Sequence, residues 1–446
     1  MFKKLKYISQ TRLIALSFLL VILSGTFLLT LPIASRDGAW TNPLNALFTA
    51  TSATCVTGLI AYDTYCHWSL FGQIVIICLI QIGGLGFMTI ITLLAVFTKR
   101  RIGLSERRIL MVSSGNMRIS GIIRLIQKVA IITFCCEGFG ALVLAFSFVP
   151  QMGMLRGCYN AIFHSVSAFC NAGFDLMGRY KEGSSLGLYE QNAAVMVPLA
   201  ILIVVGGIGF QVWSDIRKNG YHVKKYSLHT KLALISTGVL LFGGWFLYFI
   251  FENQYHLKGM TLPQKLLSSG FMSATTRTAG FAGFDLAQLS QSGSLLTVIL
   301  MLIGGCPGST AGGIKTTTIA VMVMSVIGMS RGDTDITVFK RRLNKDLIKH
   351  AAVICFVYVG VVLGATMIIC NIESVSLASA LFETASAMGT AGLSQGLTAQ
   401  AGVVTKVILI ILMYGGRIGG LSLLSVFAER KREAPHKRPA ERIMIG

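Results

Sequence analysis

The chain has 446 residues, 53% of them hydrophobic and 13% charged, and its formal net charge is +21. About a quarter of the residues in a soluble domain are charged, so this composition excludes a soluble globular protein and indicates an integral membrane protein. The ten cysteines follow no metal-ligand spacing, and we interpret them as small core residues and not as a disulfide framework.

Eight apolar runs are long enough to cross a bilayer, which takes about 20 residues each. In chain order they are residues 13–31, 70–97, 122–149, 195–213, 232–251, 295–329, 351–370 and 403–427. The first run follows basic residues but ends without a small-residue cleavage site, so we expect a retained helix and no signal peptide. The sequence therefore predicts an all-α protein with eight crossings.

The basic residues indicate how the chain is oriented in the membrane. Most of the 39 Lys and Arg fall in five segments, which are residues 3–12, 99–128, 217–231, 331–349 and 430–442. With eight crossings these segments lie on one side, and the positive-inside rule identifies that side as cytoplasmic. We expect both termini in the cytoplasm. The same charge suits contact with anionic lipid or a cytoplasmic partner, and this distribution argues against a nucleic acid partner.

Four short segments of the chain are nearly alike, and each contains one glycine near its end. The glycines are Gly58, Gly173, Gly280 and Gly392, separated by 115, 107 and 112 residues. Such regular self-similarity indicates one structural unit used four times. Each glycine follows an apolar stretch that is too short to span a bilayer, which we predict to be a re-entrant half-helix. These half-helices are predicted over residues 43–54, 158–169, 263–275 and 375–388.

The repeats divide the chain into four units, each a membrane helix, a pore half-helix and a second membrane helix, arranged around a central ion pore. The predicted units are residues 1–98, 99–216, 217–330 and 331–428, followed by a basic cytoplasmic tail at 429–446. The repeats have diverged, since a phenylalanine ten residues before the glycine in three units is replaced by Gly270 in the third.

The glycine segments are candidates for a cation selectivity filter. Non-helical backbone is tolerated inside a bilayer only where protein buries it or where it lines a watery path, and glycine reaches the necessary dihedrals cheaply. Half-helices point their partially negative C-terminal ends at such a path, and backbone carbonyls can replace an ion's hydration shell. The alternative is that small residues mark tight helix packing. The candidate filter residues are Thr54, Cys55, Val56, Thr57, Gly58, Cys170, Asn171, Ala172, Gly173, Arg277, Thr278, Ala279, Gly280, Gly389, Thr390, Ala391 and Gly392.

A second glycine element follows each filter glycine, at residues 83–87, 206–210, 304–308 and 415–419. We expect these elements inside the second full helix of each unit, as sites of close packing or as hinges. No βαβ pattern surrounds them, which argues against a dinucleotide site. The third copy extends to residue 316, and its glycine, proline and serine content must break the helix. This break is the candidate gate, and its residues are Gly305, Cys306, Pro307, Gly308, Ser309, Thr310, Ala311, Gly312, Gly313 and Lys315, with Arg417 from the eighth run.

Two arginines lie at membrane depth. A charged side chain is costly there, so each is a candidate functional residue. Arg417 can repel cations, anchor the loop through its carbonyls, or pair with a buried acid such as Glu137. Arg277 would oppose a cation if it pointed into the path, so we expect it to point outward and to hold its loop by hydrogen bonds. His164 and Glu383, on half-helices, can equally be scaffold contacts.

Together these segments resemble the Trk/Ktr/HKT superfamily of potassium transporters. The motifs are TCVTGL at 54–59, CNAGF at 170–174, TRTAGF at 276–281, GTAGL at 389–393, GSTAGGIKTT at 308–317 and GGRIG at 415–419. The chain is most similar to the KtrB membrane subunits, because TrkH proteins usually carry extra helices before the first repeat.

The resemblance implies a bacterial plasma membrane protein with K+ at the carbonyls of the filter and a gate formed by the 305–313 loop with Arg417. It also implies a homodimer with one pore per subunit and a KtrA-like nucleotide-binding regulatory ring on the cytoplasmic face. Plant relatives that prefer sodium often have serine at the first filter glycine, so Gly58 favours potassium. Na+ as an activating ion remains open, and no organic cofactor is expected.

Two other functional classes compete with a pore. A Na+- or H+-coupled secondary symporter with an occluded site is one, but such folds often use inverted repeats, whereas each unit here returns the chain to the same side. A membrane enzyme is the other, but no His, Asp or Glu cluster has catalytic spacing. We therefore expect a transporter with channel-like permeation and no enzyme activity.

Overall fold

The structure is a computed structural model that describes residues 10–86, 89, 122–332 and 335–419. Residues 3–9, most of the basic segment 99–128, and the predicted tail at 429–446 lie outside the described residues. The same is true of the ends of the predicted runs at 70–97 and 403–427.

Fifteen α-helices, five short 3-10 helices and a two-stranded antiparallel ribbon make up the regular structure of the described part of the chain. The α-helices and strands are α1 (Gln10–Thr30), α2 (Pro43–Cys55), α3 (Leu70–Leu85), α4 (Ile122–Met152), α5 (Met154–Phe169), α6 (Ala193–Gly207), α7 (Phe210–Asn219), α8 (Leu228–Glu252), α9 (Leu262–Thr275), α10 (Gln291–Leu302), α11 (Thr316–Ser330), β1 (Thr337–Val338), β2 (Arg341–Arg342), α12 (Lys345–Glu373), α13 (Leu377–Gly389), α14 (Leu397–Gln400) and α15 (Val403–Ile418).

Each of the four repeats begins with a long apolar helix. The helices α1, α4, α8 and α12 contain segments of 19 to 29 residues that are long and apolar enough to cross a membrane, which takes about 20 residues. Each is followed by a short half-helix, namely α2, α5, α9 or α13. We call the face where the long helices end and the half-helices begin the pore-helix face. The predicted fold class, four helix and half-helix units, is confirmed.

Within the described residues the second helix of the first, second and fourth repeats ends inside the second glycine element, so the prediction that these three elements lie inside a full helix is wrong; in the third repeat the predicted break is present. The helices α3, α6 and α15 end within that element, and α10 ends just before it. A glycine in each copy has a positive φ that few other residues adopt, at Gly86, Gly209, Gly308 and Gly419. In the second repeat the chain resumes as α7 at 91° to α6. The element therefore breaks the helix and is not part of its interior.

Local sequence determines where two of the half-helices begin. Pro43 occupies the first position of α2, where its missing N–H costs nothing, and the Asn42 side chain accepts from the Leu44 N–H at 2.9 Å. At α9 the Gln264 side chain accepts from the backbone N–H of Thr261 at 2.9 Å, as in a capping box.

The repeats close into a ring. Each half-helix packs against the second helix of the preceding repeat, so that α5 contacts α3, α9 contacts α6, and α13 contacts α10. The ring closes because α2 contacts α15 at the other end of the described chain. The phenylalanines predicted to be equivalent, Phe48, Phe163 and Phe382, are fully buried. This arrangement brings the C-terminal ends of all four half-helices to one central place.

Candidate ion path

The four candidate filter segments share one backbone conformation. In each, the residue two before the glycine and the glycine itself have positive φ, while non-glycine residues rarely do. The pairs are Val56 and Gly58 (57° and 99°), Asn171 and Gly173 (60° and 70°), Thr278 and Gly280 (69° and 83°), and Thr390 and Gly392 (52° and 82°). Successive carbonyls of an extended chain point to opposite sides, and a left-handed residue at every second position turns them to the same side. The geometry thus suits a row of carbonyls facing one axis.

The four glycines meet around that axis in chain order. A Cβ built on Gly58 would lie 2.6 Å from the carbonyl oxygen of Ala172 and 3.3 Å from the Cα of Gly173. A Cβ on Gly173 would lie 2.7 Å from the Cα of Gly280. On Gly280 it would lie 2.9 Å from the Ala391 carbonyl oxygen.

The ring closes at the fourth glycine, where a Cβ on Gly392 would overlap the carbonyl oxygen of Thr57. The carbonyls that meet here belong to the residues just before the glycines. None of these positions has room for a side chain, which is the physical reason for four glycines.

Backbone hydrogen bonds connect each filter segment to its own half-helix, and the carbonyls that meet at the axis are not their acceptors. In three repeats the N–H just before the glycine donates to a half-helix carbonyl at 2.8 Å, from Thr57 to Ser52, from Ala172 to Ser167 and from Ala391 to Ser386. In the third repeat the donor is Ala279 and the acceptor is Thr275, at 2.9 Å. The filter is thereby fixed to the end of each half-helix.

Several hydroxyls near the path are buried and have no hydrogen-bond partner among the described residues. They are those of Thr54, Thr57, Thr278 and Thr390. A buried hydroxyl without a partner costs free energy, so these oxygens are available as additional ligands for a cation. The described residues include no group of three or more His, Cys, Asp or Glu able to hold a metal ion.

The candidate gate residues 305–313 and Lys315 lie in the loop between α10 and α11, residues 303–315. Its two ends pair, with the N–H of Gly304 donating to Ile314 at 2.9 Å and the N–H of Ile314 donating to Leu302 at 3.1 Å. The predicted interruption of this membrane helix is therefore confirmed. The loop also contacts the break in the second repeat, because the N–H of Cys306 donates to Gly207 at 2.9 Å.

The loop reaches the base of the filter in two repeats. The hydroxyl of Thr310 lies 3.0 Å from Asn171 Oδ1, to which it can donate. A Cβ on Gly313 would lie 3.1 Å from the carbonyl oxygen of Gly389 in the fourth repeat. The loop thus contacts the filter segments of the second and fourth repeats.

Arg417, near the end of α15, binds the loop and the first repeat at once. Its Nη1 donates to the carbonyl oxygen of Thr310, and its Nη2 donates to that of Gly83 at 2.5 Å. Glu137, the acid named as an alternative partner, instead accepts from Gln81 Nε2 at 3.1 and 3.2 Å. Among the possibilities that the sequence left open, these contacts favour anchoring of the loop.

The other two cations of this region also bind backbone oxygens. Lys315 Nζ donates to the carbonyl of Ala311 at 2.7 Å and lies 3.3 Å from that of Gly312, which stiffens the end of the loop. Arg277 is buried, and its Nη1 lies 3.4 Å from the carbonyl of Thr237 on the outer helix α8. The Arg277 side chain is therefore directed to α8, in the outward direction that the sequence analysis expected.

His164 and Glu383 serve the loops that lead away from the filter toward the pore-helix face. His164 Nδ1 lies 2.7 Å from the carbonyl oxygen of Asn160, and its Nε2 accepts from the N–H of Leu176 at 3.4 Å. Glu383 accepts from the hydroxyls of Ser394 and Thr398, each at 2.5 Å. Both residues act as scaffold contacts.

Sequence reasoning missed three features of this region. The Gly83 carbonyl as a partner of Arg417 has no sequence signal, because any residue offers a carbonyl. Asp63 and Asp175 lie in the loops after the first two filter segments, and an acid soon after a filter glycine was a usable signal. Burial raises the pKa of Asp175 to about 6, and the neighbouring Asp63 carboxylate also raises it.

Comparisons with known proteins show the family and the fold. A family model described as "TrkH: Cation transport protein" matches residues 5–434. The potassium/sodium uptake protein NtpJ of Enterococcus hirae is 41% identical over 99% of this chain and 98% of its own length. The Ktr system potassium uptake protein B of Bacillus subtilis is 37% identical over 96% of each chain. The crystal structure of the potassium transporter TrkH from Vibrio parahaemolyticus is similar in fold, with a TM-score of 0.73 at 19% identity, covering 95% of this chain and 86% of that one.

Proposed function

This chain belongs to the TrkH family of cation transport proteins, and we propose that it is the potassium-translocating membrane subunit of a Ktr-type uptake system. It is a transporter and not an enzyme. Ions pass through the ring of filter carbonyls, and the 303–315 loop with Arg417 forms the gate. The observation that carries this proposal is the meeting of Gly58, Gly173, Gly280 and Gly392 around one axis, each with positive φ.

The proposal includes partners and an orientation. Relatives at 35–37% identity are named as components of Ktr systems, which supports a cytoplasmic regulatory partner, here a KtrA-like nucleotide-binding ring, and a homodimer with one pore per subunit. The positive-inside rule applied to the basic segments supports both termini in the cytoplasm, and the similarity to bacterial uptake proteins supports the bacterial plasma membrane. Because a relative is named for uptake of both potassium and sodium, Na+ is a second candidate ion, either as an activator or as cargo.

Replacing Gly58 by serine is expected to lower the ratio of K+ to Na+ flux. The φ of Gly58 is 99°, and a Cβ there would lie 2.6 Å from the Ala172 carbonyl oxygen. A side chain must displace that carbonyl and so alter the spacing that an ion senses. We expect a fall on the order of ten-fold, which corresponds to about 1.4 kcal/mol. The measurement is K+ and Na+ flux into proteoliposomes that contain the purified chain.

The matched control is Gly38→Ser. Gly38 also has a positive φ, of 68°, but a Cβ there would meet nothing within 4 Å, and it lies in the loop before α2. It should keep the wild-type flux ratio. An unchanged ratio in Gly58→Ser would exclude these segments as the filter. Wild-type flux that requires a Na+ or H+ gradient would instead identify a coupled symporter with an occluded site.

A further inference from the structure

The third repeat differs from the other three at the back of its half-helix. Phe48, Phe163 and Phe382 fill this position in the first, second and fourth repeats and are fully buried. Gly270 occupies it in the third. Beside Gly270 the structure has a cavity of about 640 Å³, open on one side and lined by α6, α8 and α9 and by Gln191, two residues before α6. We call this cavity the α9 groove.

The α9 groove is almost entirely apolar. Among its lining side chains only Gln191 and Gln264 are amides, and the rest are aliphatic or aromatic apart from Gly270. The two amides hydrogen-bond each other at 2.8 Å. Both lie where α6 and α9 begin, which is the pore-helix face, while Ala274 lies at the other end of α9 near the filter. One end of the groove is therefore polar, and its length is apolar.

Its place in the membrane determines what can enter it. Helix α8 spans the hydrocarbon layer by length and composition, and a groove in its side opens to acyl chains and not to water. A volume of about 640 Å³ lies within the usual range of about 300–1,000 Å³ for ligand sites. The polar end at the membrane surface and the apolar length match the two parts of a phospholipid.

We propose that the α9 groove binds one acyl chain of a membrane phospholipid, with the headgroup beside Gln191 and Gln264. The chain lies beside Gly270, where the other three repeats have phenylalanine, and against the Trp245 ring that lines the same groove. It packs against Gly270 and Ala274, and the next residue, Thr275, donates its hydroxyl to the carbonyl of Phe281 at 2.7 Å, which closes the third filter segment. The bound lipid thus supports the half-helix that has Gly270 where the other three have phenylalanine.

The test is photolabelling in proteoliposomes with a phosphatidylethanolamine that carries a diazirine on its acyl chain, followed by peptide mapping. Label should be several-fold higher on groove residues such as Trp245 and Leu267 than on Phe146 of α4, which is 82% exposed to the membrane. Gly270→Phe fills the groove and should lower its labelling several-fold. Since a Cβ on Gly270 would lie 3.1 Å from the Trp245 ring, Ala200→Phe on the opposite wall is a second filling variant.

The matched control is Gly243→Phe, which adds the same side chain to α8 at a position where a Cβ meets nothing within 4 Å. It should leave groove labelling unchanged. Groove labelling equal to that of Phe146, or labelling that neither filling variant reduces, would overturn the proposal. So would an unlabelled groove with cross-links between copies from a cysteine at Val197, because a second copy of the chain would then cover it.

Discussion

Replacing Arg417 by glutamine is expected to raise K+ flux by about one to two orders of magnitude. The wild-type guanidinium donates to the carbonyls of Thr310 and Gly83, so it ties the gate loop to the first repeat. A hydrogen bond to a charged group contributes about 1.5–3 kcal/mol, and each 1.4 kcal/mol is about ten-fold in an equilibrium. The other loop contacts remain, such as the N–H of Phe210 to Gly308 at 2.9 Å, so only part of the closed state is lost.

Two further variants separate the bonds of Arg417 from its charge. Arg417→Lys keeps a cation beneath the filter, but its ammonium is a compact charge that cannot reproduce the planar fork of arginine. If anchoring closes the gate, this variant should resemble Arg417→Gln; if repulsion closes it, the flux should stay near that of wild type. Arg331→Gln, an exposed position just after α11, is the control for loss of one charge. Unchanged or lower flux in Arg417→Gln would show that this residue does not hold the gate closed.

The four half-helices with their glycine segments and the interruption between α10 and α11 were predictable from sequence because they depend on local chemistry. Four glycines at nearly equal spacing, each after a short apolar stretch, gave the half-helices to within a few residues. The glycine, proline and serine content of the 304–316 segment gave the helix break for the same reason. Cys306 and Thr310 belong to the candidate gate because they lie in that segment, and their hydrogen-bond partners have no sequence signal.

Other features were not predictable because they depend on contacts between distant parts of the chain. The helix breaks at Gly86, Gly209 and Gly419 looked like helix interiors, since glycine also permits close packing and hydropathy does not distinguish the two. That Gly270 lies beside a cavity could not be known from its replacing phenylalanine, because the space left there depends on how α8 packs and on its Trp245 ring, 3.1 Å from where a Cβ of Gly270 would lie. Every residue has a backbone carbonyl, so the sequence does not indicate that Arg417 binds the carbonyl of Gly83.

Gly206→Ala is expected to destabilise the protein, whereas Gly207→Ala next to it is expected to have little effect. A Cβ on Gly206 would overlap the carbonyl oxygen of Phe169 and lie 2.9 Å from Asn171 Oδ1. The first of these is backbone at the end of the half-helix α5 and cannot move without moving the filter. Overpacking costs about 1–3 kcal/mol, which exceeds the gain of about 1 kcal/mol from replacing glycine by alanine in a helix.

Gly207 provides the control within the same turn of α6, because the nearest atom to a Cβ there, Asn171 Nδ2, is 3.8 Å away, an ordinary van der Waals contact. The apparent unfolding temperature of the purified variants in one detergent measures the difference, and K+ flux measures its consequence. If α6 must approach the filter this closely, Gly206→Ala unfolds at a lower temperature than Gly207→Ala and also loses ion selectivity, since its methyl group displaces the segment that carries Asn171 and Gly173. Equal unfolding temperatures would mean that α6 can withdraw from the half-helix. The second glycine element would then only break the helix, and close packing of α6 against the filter segment would not depend on it.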